Sequence, residues 1–535
     1  MTSLGGMTIF RAILYFMTLI IMLSVQSNIY VESLRRIIPR MIQGKYAVGL
    51  DFGTTGARST VVEISSLKIV SEEHIEWNSM KSYSVSSYPC WQEALLKILN
   101  KIPADQKREL GRVCVSGTSA SVLMYDLAKK KVTRPPRMYN FNVACSSQPP
   151  AVYKAGVKAM EKISRAAPAG SPACAPTSSL AKLLSWHLEE PLTDTECMMH
   201  QADFLAYTLL GGFTDDIENC DTRSYFQHTV NGEHHLRVQS DWHNVLKLGY
   251  DVDELKYPVW LMNIMLYNQI RPEMALPQVR EPGDGYGKVC PKIASALGIN
   301  KDCFVAAGTT DSIAAFYASQ CDQVGEAVTS LGSTMVLKML SDKPVRDNSR
   351  GIYSHRLANN RWLVGGASNV GCAVLRQENF SGEELAQLSE KIDPEERIDI
   401  GDKYYPLVGQ GERFPVNDPE KQCVLDPKPA TRQEYLHGIL QAMSRVEAEG
   451  YAALSAGGAS TLHHVYTAGG GSKNDMWCKM RESFLGVPVA RASNTDASFG
   501  VARLGTLLHD DEIIRRRDLA SEEKEKSERS ASAMV

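Results

Sequence analysis

The chain has 535 residues, of which 44% are hydrophobic and 22% charged, and its formal net charge is −3. That length can bury more than one core and predicts about two to four structural units, while the small charge gives no electrostatic basis for binding nucleic acid. The twelve cysteines are scattered without a Cys-x-x-Cys pair, so neither a zinc site nor a disulfide framework is indicated. We expect a large soluble protein with reduced thiols.

The N-terminal 44 residues differ from the rest of the chain. Residues 13–23 form an apolar run behind Arg11, which is short for a membrane span and typical of a signal sequence. Residues 28–43 then carry three arginines and a single acid, as in a transit segment. We expect a two-part plastid targeting segment over residues 1–44, and no stable membrane association of the mature protein. An uncleaved anchor, a start site near Met41 and a cytoplasmic protein are the alternatives.

A first glycine-rich turn, Asp-Phe-Gly-Thr-Thr-Gly at residues 51–56, follows a run that can form a buried strand. Glycine lets a backbone approach a polyanion closely, and Thr54 and Thr55 add hydroxyl donors for phosphate oxygens. Asp51 stands at the strand end, where a divalent ion would bridge those oxygens. The turn lacks the Lys of a Walker loop, and another β-run follows it instead of a helix. The pattern predicts a strand-turn-strand unit that binds phosphate, with an ordinary hairpin as the alternative.

Later segments repeat this chemistry. Residues 305–316 predict a buried strand, a Gly-Thr-Thr turn and a helix that begins at Asp311, where a carboxylate can also serve only to cap free amides. Residues 330–334 form a hydroxyl-rich turn that, taken alone, favours a plain hairpin. A third glycine turn, residues 466–475, follows another buried run. The first and last turns together predict a nucleotide site built from both ends of the chain.

Short β-branched runs alternate with helical stretches from Lys45 onward. This alternation indicates an α/β architecture with mixed sheets. We expect a first domain over residues 45–322 and a second over residues 323–508. Residues 509–535 are dense in charge and are expected to form a solvated, disordered tail.

Taken in order, these motifs resemble the FGGY carbohydrate kinases, a branch of the actin, Hsp70 and hexokinase superfamily. Residues 411–415, Gly-Glu-Arg-Phe-Pro, match the family signature Gly-Glu-Arg-x-Pro, and the resemblance covers residues 45–508. The most similar subgroup is the D-ribulose kinases of plants and cyanobacteria, long described as xylulose kinase-like. The stretches that carry this likeness are residues 307–316, 328–334, 353–357, 364–369 and 436–440.

The resemblance implies two ribonuclease-H-like domains around an active site that transfers phosphate from ATP, with Mg²⁺, to a sugar hydroxyl. It implies Asp311 as the catalytic base and Asp51 as both a metal and a substrate residue. The implied phosphate-binding residues are Gly53, Thr54, Thr55, Arg58, Gly332, Ser333 and Thr334, and the implied adenosine-binding residues are Gly469, Gly470, Gly471 and Asn474. The implied substrate-binding residues, besides the two aspartates, are Ser116, Thr118, Asn140, Asp241, Asn244 and Thr310.

One interval departs from the subgroup pattern. Residues 214–239 separate two stretches that should be almost adjacent. Their cysteine and histidine spacing fits no standard metal site, so an exposed insertion loop is favoured. Retained intron sequence is the alternative.

The sugar is predicted from two replacements. Xylulose kinases commonly show Ser-Gly-Gln where this chain has Thr118, and Trp-Asn-Asp where Phe141 follows Asn140. Loss of a long amide and a carboxylate changes which hydroxyl epimers are satisfied, which favours D-ribulose. D-xylulose, sedoheptulose and pentitols remain open, as do a non-catalytic sugar or nucleotide sensor and a homodimer.

Overall fold

The computed structural model describes residues 44–80, 87–213, 227–230 and 233–507. Residues 1–43 of the predicted targeting segment, much of the predicted insertion and the predicted tail at 509–535 lie outside the described residues. Within the described ranges, no helix is both long enough and apolar enough to cross a membrane. Inside the segment that we expected to be a loop, Gln227–Val230 and Glu233–Leu236 pair as antiparallel strands.

The described strands and helices alternate along the chain, as expected of an α/β protein. The strands are β1 Tyr46–Phe52, β2 Gly56–Glu63, β3 Ile69–Glu76, β4 Leu110–Gly117, β5 Val122–Asp126, β6 Lys131–Arg137, β7 Glu196–His200, β8 Gln227–Val230, β9 Glu233–Leu236, β10 Gln239–Asp241, β11 Gln278–Arg280, β12 Gly285–Lys288, β13 Phe304–Thr310, β14 Glu326–Leu331, β15 Met335–Ser341, β16 Tyr353–Arg356, β17 Trp362–Ser368, β18 His464–Ala468 and β19 Val489–Arg491. The helices are α1 Tyr88–Lys101, α2 Ala104–Arg108, α3 Pro150–Ala166, α4 Ser179–Glu189, α5 Gln201–Leu209, α6 Val259–Tyr267, α7 Pro272–Ala275, α8 Pro291–Leu297, α9 Asp311–Ala318, α10 Ala373–Gln377, α11 Gly382–Ser389, α12 Asp399–Lys403, α13 Arg432–Ala456, α14 Asp475–Leu485 and α15 Ala497–Thr506.

The first sheet has the strand order β12-β13-β4-β1-β2-β3 among the described residues. Strands β1 and β4 are buried along nearly their whole length, which explains their continuous runs of apolar and small residues. Because β1, β4 and β13 run parallel, their carboxyl ends meet at one edge. That edge carries Asp51, Ser116 and, directly after β13, Asp311. The predicted strand-turn-strand unit at the first glycine turn is confirmed by the antiparallel pair β1 and β2.

The second sheet has the strand order β16-β17-β15-β14-β18-β19. Its central hairpin, β14 and β15, carries the hydroxyl-rich turn at residues 332–334, and β18 runs parallel to β14. Gly469 follows β18 with a φ of +82°, and a Cβ there would lie 2.6 Å from the Leu331 carbonyl oxygen. Only glycine therefore allows the last glycine turn to lie against the second phosphate turn.

Helix α9 lies between the two sheets. One face, with Ile313 and Phe316, packs in a cluster with side chains of the second sheet. The other face, with Ala314, packs against α15, which follows the second sheet in sequence but lies on the first. The domain boundary near residue 323 stays a prediction, and α15 belongs by packing to the first sheet.

The contact between α9 and α15 depends on a missing side chain, because a Cβ at Gly500 would lie 1.7 Å from the Ala314 carbonyl oxygen. We expect Gly500→Ala to lower the free energy of unfolding by about 1–3 kcal/mol through overpacking. The matched control is Gly382→Ala in α11, where a Cβ meets no atom within 4 Å. Equal stability of the two variants in denaturant unfolding would contradict the tight contact.

Candidate active site

Asp51 lies near the end of β1 and is 5% exposed. Its neighbours across the sheet are Ser116 on β4 and Arg58 on β2, and the Ser116 hydroxyl donates to Asp51 Oδ1 at 2.8 Å. Burial, followed by the carboxylates of Asp311 and Asp496, raises the pKa of Asp51 to about 7, although the Ser116 hydrogen bond opposes this rise. The side chain is therefore held in place by the sheet and changes charge easily near neutral pH.

Asp311 is the first residue of α9 and is half-buried. Its Oδ1 accepts a hydrogen bond from the Ser312 amide at 2.8 Å, so the capping interaction exists but leaves Oδ2 available. Burial raises the pKa of Asp311. A carboxylate whose pKa is raised toward the working pH is a stronger base. Thr310, the residue before it, is 4% exposed and ends β13.

Two lysines that our sequence analysis did not select lie close enough to affect Asp311. Lys247 and Lys338 both act to lower the pKa of Asp311, and burial lowers the pKa of Lys338 to about 8. The Lys338 ammonium donates to the Ser312 carbonyl at 2.7 Å, which fixes it beside the start of α9. Lys338 follows the second phosphate turn in sequence, but neither lysine's position along the chain showed its proximity to Asp311.

The first phosphate turn is open to solvent at its tip. Thr54 and Thr55 are exposed, the Gly53 amide donates to the Gly56 carbonyl at 3.1 Å, and the Trp77 indole donates to the Gly53 carbonyl at 3.0 Å. The hydroxyls are thus presented outward on a braced turn. Arg58 is also exposed, and its guanidinium lies 3.6 Å from Asp496.

The second phosphate turn is braced by the segment after β17. The Cys372 amide donates to the Gly332 carbonyl at 2.9 Å, and the Arg376 guanidinium donates to the Ser333 hydroxyl at 3.0 Å. The Gly332 amide donates to the Thr334 carbonyl at 3.1 Å. Arg376 is a cation at this turn that our sequence analysis did not select.

Beside the last glycine turn lies a cavity of about 530 Å³ that suits an adenine ring. Gly470, Gly471 and Asn474 line it, together with apolar side chains of α11, α13 and α14, among them Leu385, Leu440, Met476 and Trp477. The Asn474 amide is engaged at both ends, since it accepts from the Trp477 amide at 3.0 Å and donates to the Ser389 hydroxyl at 2.8 Å. It caps α14, and a direct adenosine contact by its side chain stays a prediction.

A second cavity, of about 570 Å³, runs between α9 and the second sheet. Its lining includes Ser330 of the second phosphate turn, Gly469 of the last glycine turn, Ser312 of α9 and Lys338. It therefore connects the two turns of the second sheet with the start of the Asp311 helix.

The candidate sugar residues differ in how free their polar atoms are. Thr118 is 2% exposed, and its hydroxyl contacts both the Gln201 amide oxygen, at 3.0 Å, and the Ser121 hydroxyl, at 2.5 Å. Thr118 is thus committed to Gln201, a residue of α5 that the sequence analysis did not select. Asn140 is exposed in the turn after β6, and its sugar contact stays a prediction.

Asp241 and Asn244 are both buried in the turn after β10. Asp241 accepts from the amides of His243 and Asn244 and from the Asn244 side-chain amide, at 2.9, 3.0 and 2.6 Å. Burial raises the pKa of Asp241 to about 7. This geometry is that of a turn cap, so a sugar contact by Asp241 stays a prediction. Asn244 Oδ1, by contrast, is buried with no hydrogen-bond partner among the described residues.

The donor set also limits how a metal ion would bind. No group of three or more His, Cys, Asp or Glu side chains in the described ranges is placed to hold an ion. Asp51 supplies one buried carboxylate beside the first phosphate turn. That fits Mg²⁺, which usually keeps several waters and takes one or two carboxylates together with phosphate oxygens.

Residues 327–508 match the C-terminal domain of the FGGY family of carbohydrate kinases. The chain thus carries, over these residues, the C-terminal domain of this kinase family. It is similar to a xylulose kinase of Haemophilus influenzae, at 22% identity over 81% of this chain and 84% of the relative. A gluconokinase of Bacillus licheniformis matches at 23% identity over 40% of this chain, and that match spans only 45% of the relative's length.

A solved structure agrees with the architecture. The xylulose kinase of Bifidobacterium adolescentis superposes with a TM-score of 0.64 at 16% identity, covering 86% of this chain and 92% of the other. The predicted α/β fold is confirmed by this likeness. The family prediction made from the ordered motifs is confirmed for residues 327–508, which match the family model.

The FGGY signature at residues 411–415 has a structural role in this chain. Glu412 is 2% exposed and accepts hydrogen bonds from the Ser368 hydroxyl at 2.7 Å and from the Asn369 amide at 2.6 Å. The Phe414 ring lies where a Cβ on Gly366 would stand, at 2.2 Å. The signature therefore anchors the end of β17 next to the second phosphate turn.

Asp311 can be tested as the base by removing its charge. We expect Asp311→Asn to lower the turnover number about 10²–10⁴-fold, because the sugar hydroxyl loses its proton acceptor. Nucleotide binding, measured by calorimetry, should persist because the phosphate turns are untouched. Turnover close to that of the wild type would place the base elsewhere.

The lysine beside Asp311 predicts a shift in pH dependence. Lys247 lowers the pKa of Asp311, so Lys247→Met should raise it. Since the base works only when ionised, the acidic limb of the kcat/KM profile should move to higher pH. The matched control is Lys256→Met on the same segment, whose side chain is 63% exposed. An unmoved acidic limb, or an equal shift in both variants, would contradict the interaction.

Proposed function

We propose that this protein phosphorylates a ketopentose, most specifically D-ribulose, with Mg-ATP to give D-ribulose 5-phosphate and ADP. The observation that carries the proposal is that a buried carboxylate, Asp51, and a half-buried one, Asp311, lie together at the carboxyl edge of the first sheet. Burial raises the pKa of Asp51 to about 7 and also raises the pKa of Asp311. The second sheet presents a phosphate turn and an adenine-sized cavity to the same region.

In this proposal Asp311 accepts the proton of the sugar hydroxyl while that oxygen bonds to the γ-phosphorus. The bond from the γ-phosphorus to the bridging oxygen breaks, and ADP leaves with the electron pair. The hydroxyls and amides of the two phosphate turns stabilise charge on the phosphate oxygens. Mg²⁺, when bound near Asp51, supplies further neutralisation of that charge.

The choice of D-ribulose is supported by the subgroup likeness and by the surroundings of Thr118. D-ribulose and D-xylulose differ in one hydroxyl configuration, so discrimination depends on one or two polar contacts. Thr118, directly after β4, stands where xylulose kinases commonly have a long amide side chain. Its hydroxyl is already hydrogen-bonded to Gln201 and Ser121, so this position offers no long amide to a sugar. D-xylulose is the second candidate, because curated and solved relatives bear that name.

The substrate is tested by coupled measurement of ADP formation with the full chain. The panel is D-ribulose, D-xylulose, L-ribulose, sedoheptulose, ribitol, glycerol and gluconate, with Asp311→Asn as the control. We expect D-ribulose to have a kcat/KM about tenfold or more above D-xylulose, and the variant to lose it. A higher value for another sugar would keep the kinase and reject D-ribulose. ATP binding without turnover of any sugar would favour the sensor alternative.

A further inference from the structure

His243 bridges parts of the molecule that belong to different sheets. Its Nδ1 lies 2.8 Å from the Thr309 hydroxyl of β13, two residues before Asp311. Its Nε2 lies 2.6 Å from the Arg356 carbonyl of β16, an edge strand of the second sheet. The ring is 4% exposed. One imidazole therefore joins the strand that leads to the candidate base with the sheet that carries the second phosphate turn.

The chemistry of the two contacts fixes the direction of each hydrogen bond. A carbonyl oxygen can only accept, so Nε2 carries the proton and donates to Arg356. Burial lowers the pKa of His243 to about 4, so the ring is neutral near pH 7, and Nδ1 accepts from the Thr309 hydroxyl. Asp241 Oδ1, 3.9 Å from Nδ1, already accepts from the amides of its own turn.

The Arg356 side chain contacts the same chain segment that its carbonyl contacts through His243. Its guanidinium donates to the carbonyls of Val252 and Asp253 at 2.9 and 3.2 Å. The Trp242 indole donates to the Arg356 carbonyl at 2.9 Å. The segment from Asp241 to Asp253, which holds the candidate sugar residue Asn244, is thus hydrogen-bonded to both the carbonyl and the guanidinium of Arg356. Of the two side chains that donate to this carbonyl, His243 is also hydrogen-bonded to β13.

We infer that His243 is a positioning residue, which couples the strand before Asp311 to the second sheet through the Thr309 hydroxyl and the Arg356 carbonyl. Transfer requires the base, at the edge of the first sheet, and the phosphate turn of the second sheet to meet in one geometry. A misplacement of about 1 Å can cost a factor of about 10² in rate. His243 supplies a hydrogen-bonded path that sets the distance between them. The inference rests on the proposed function, which supplies Asp311 as the base and the sugar used in the kinetic assay.

The kinetic test compares variants that break different parts of this path. We expect His243→Phe, which keeps the ring shape, to lower kcat tenfold or more while KM for the sugar changes less than threefold. Thr309→Val should act in the same direction, and the double variant should lose no more than His243→Phe alone, since both remove one path. Trp242→Phe, which loses a bond to the same carbonyl but no bond to β13, is the matched control and should keep kcat within threefold.

A second measurement needs no sugar. Hydrogen exchange of residues 304–310 is followed with and without AMP-PNP, which we expect to bind at the last glycine turn of the second sheet. We expect AMP-PNP to increase the protection of residues 304–310 in the wild type and in Trp242→Phe. In His243→Phe and Thr309→Val we expect AMP-PNP to leave this protection unchanged. Equal protection in all four proteins, or none in the wild type, overturns the coupling. A wild type that turns over no sugar rejects the proposed function, while the exchange result still decides the coupling.

Thermal unfolding separates coupling from simple loss of stability. If His243→Phe is too unstable to purify, Thr309→Val, which removes a single hydroxyl from the path, decides the question. A variant with a lowered Tm but wild-type kcat and wild-type transfer of protection would show a structural role only, and the inference would be wrong.

Discussion

The position of helix α9 is the constraint on which the candidate site depends. Its first residue is Asp311, one of its faces packs with the second sheet and the other packs on α15. The close approach at Gly500 leaves no room for a side chain between the helices. Since α15 lies on the first sheet, any relative movement of the sheets must also move α9. The carboxylate is thus placed where the two sheets meet.

A buried ion pair fixes the strands of the second sheet that lead into the candidate site. The Arg481 guanidinium contacts both carboxylate oxygens of Glu447, at 2.5 and 2.7 Å, and neither side chain is exposed. Thr329 of β14 donates to the same carboxylate, and Thr467 of β18 accepts from Arg481 at 2.8 Å. Loss of one partner of such a pair typically costs about 3–5 kcal/mol. The pair therefore fixes the two strands that lead into the second phosphate turn and the last glycine turn.

Local chemistry made the turns predictable, and long-range packing made other features unpredictable. Glycine and hydroxyl patterns at residues 51–56 and 466–475 correctly placed strand ends, because tight turns require those residue types. The same patterns could not show that the Asn474 side-chain amide caps α14, or that Thr118 is hydrogen-bonded to Gln201, 83 positions away in sequence. Lys338 and His243 were missed for the same reason, since their partners lie on distant strands. Proximity of that kind is set by the topology of the sheets and leaves no local signal.

The two carboxylates are chemically distinct although they lie at one edge. Asp51 is almost fully buried, and its pKa rises to about 7. Burial also raises the pKa of Asp311, but Lys338 and Lys247 oppose that rise. Paired groups whose environments separate their pKa values commonly take different roles. Lys247 and Lys338 favour the ionised form of Asp311, which is the form that accepts a proton, whereas Asp51 gains its negative charge most readily when a cation binds beside it. The lysines thus support Asp311 as the base and leave Asp51 for the metal and the sugar.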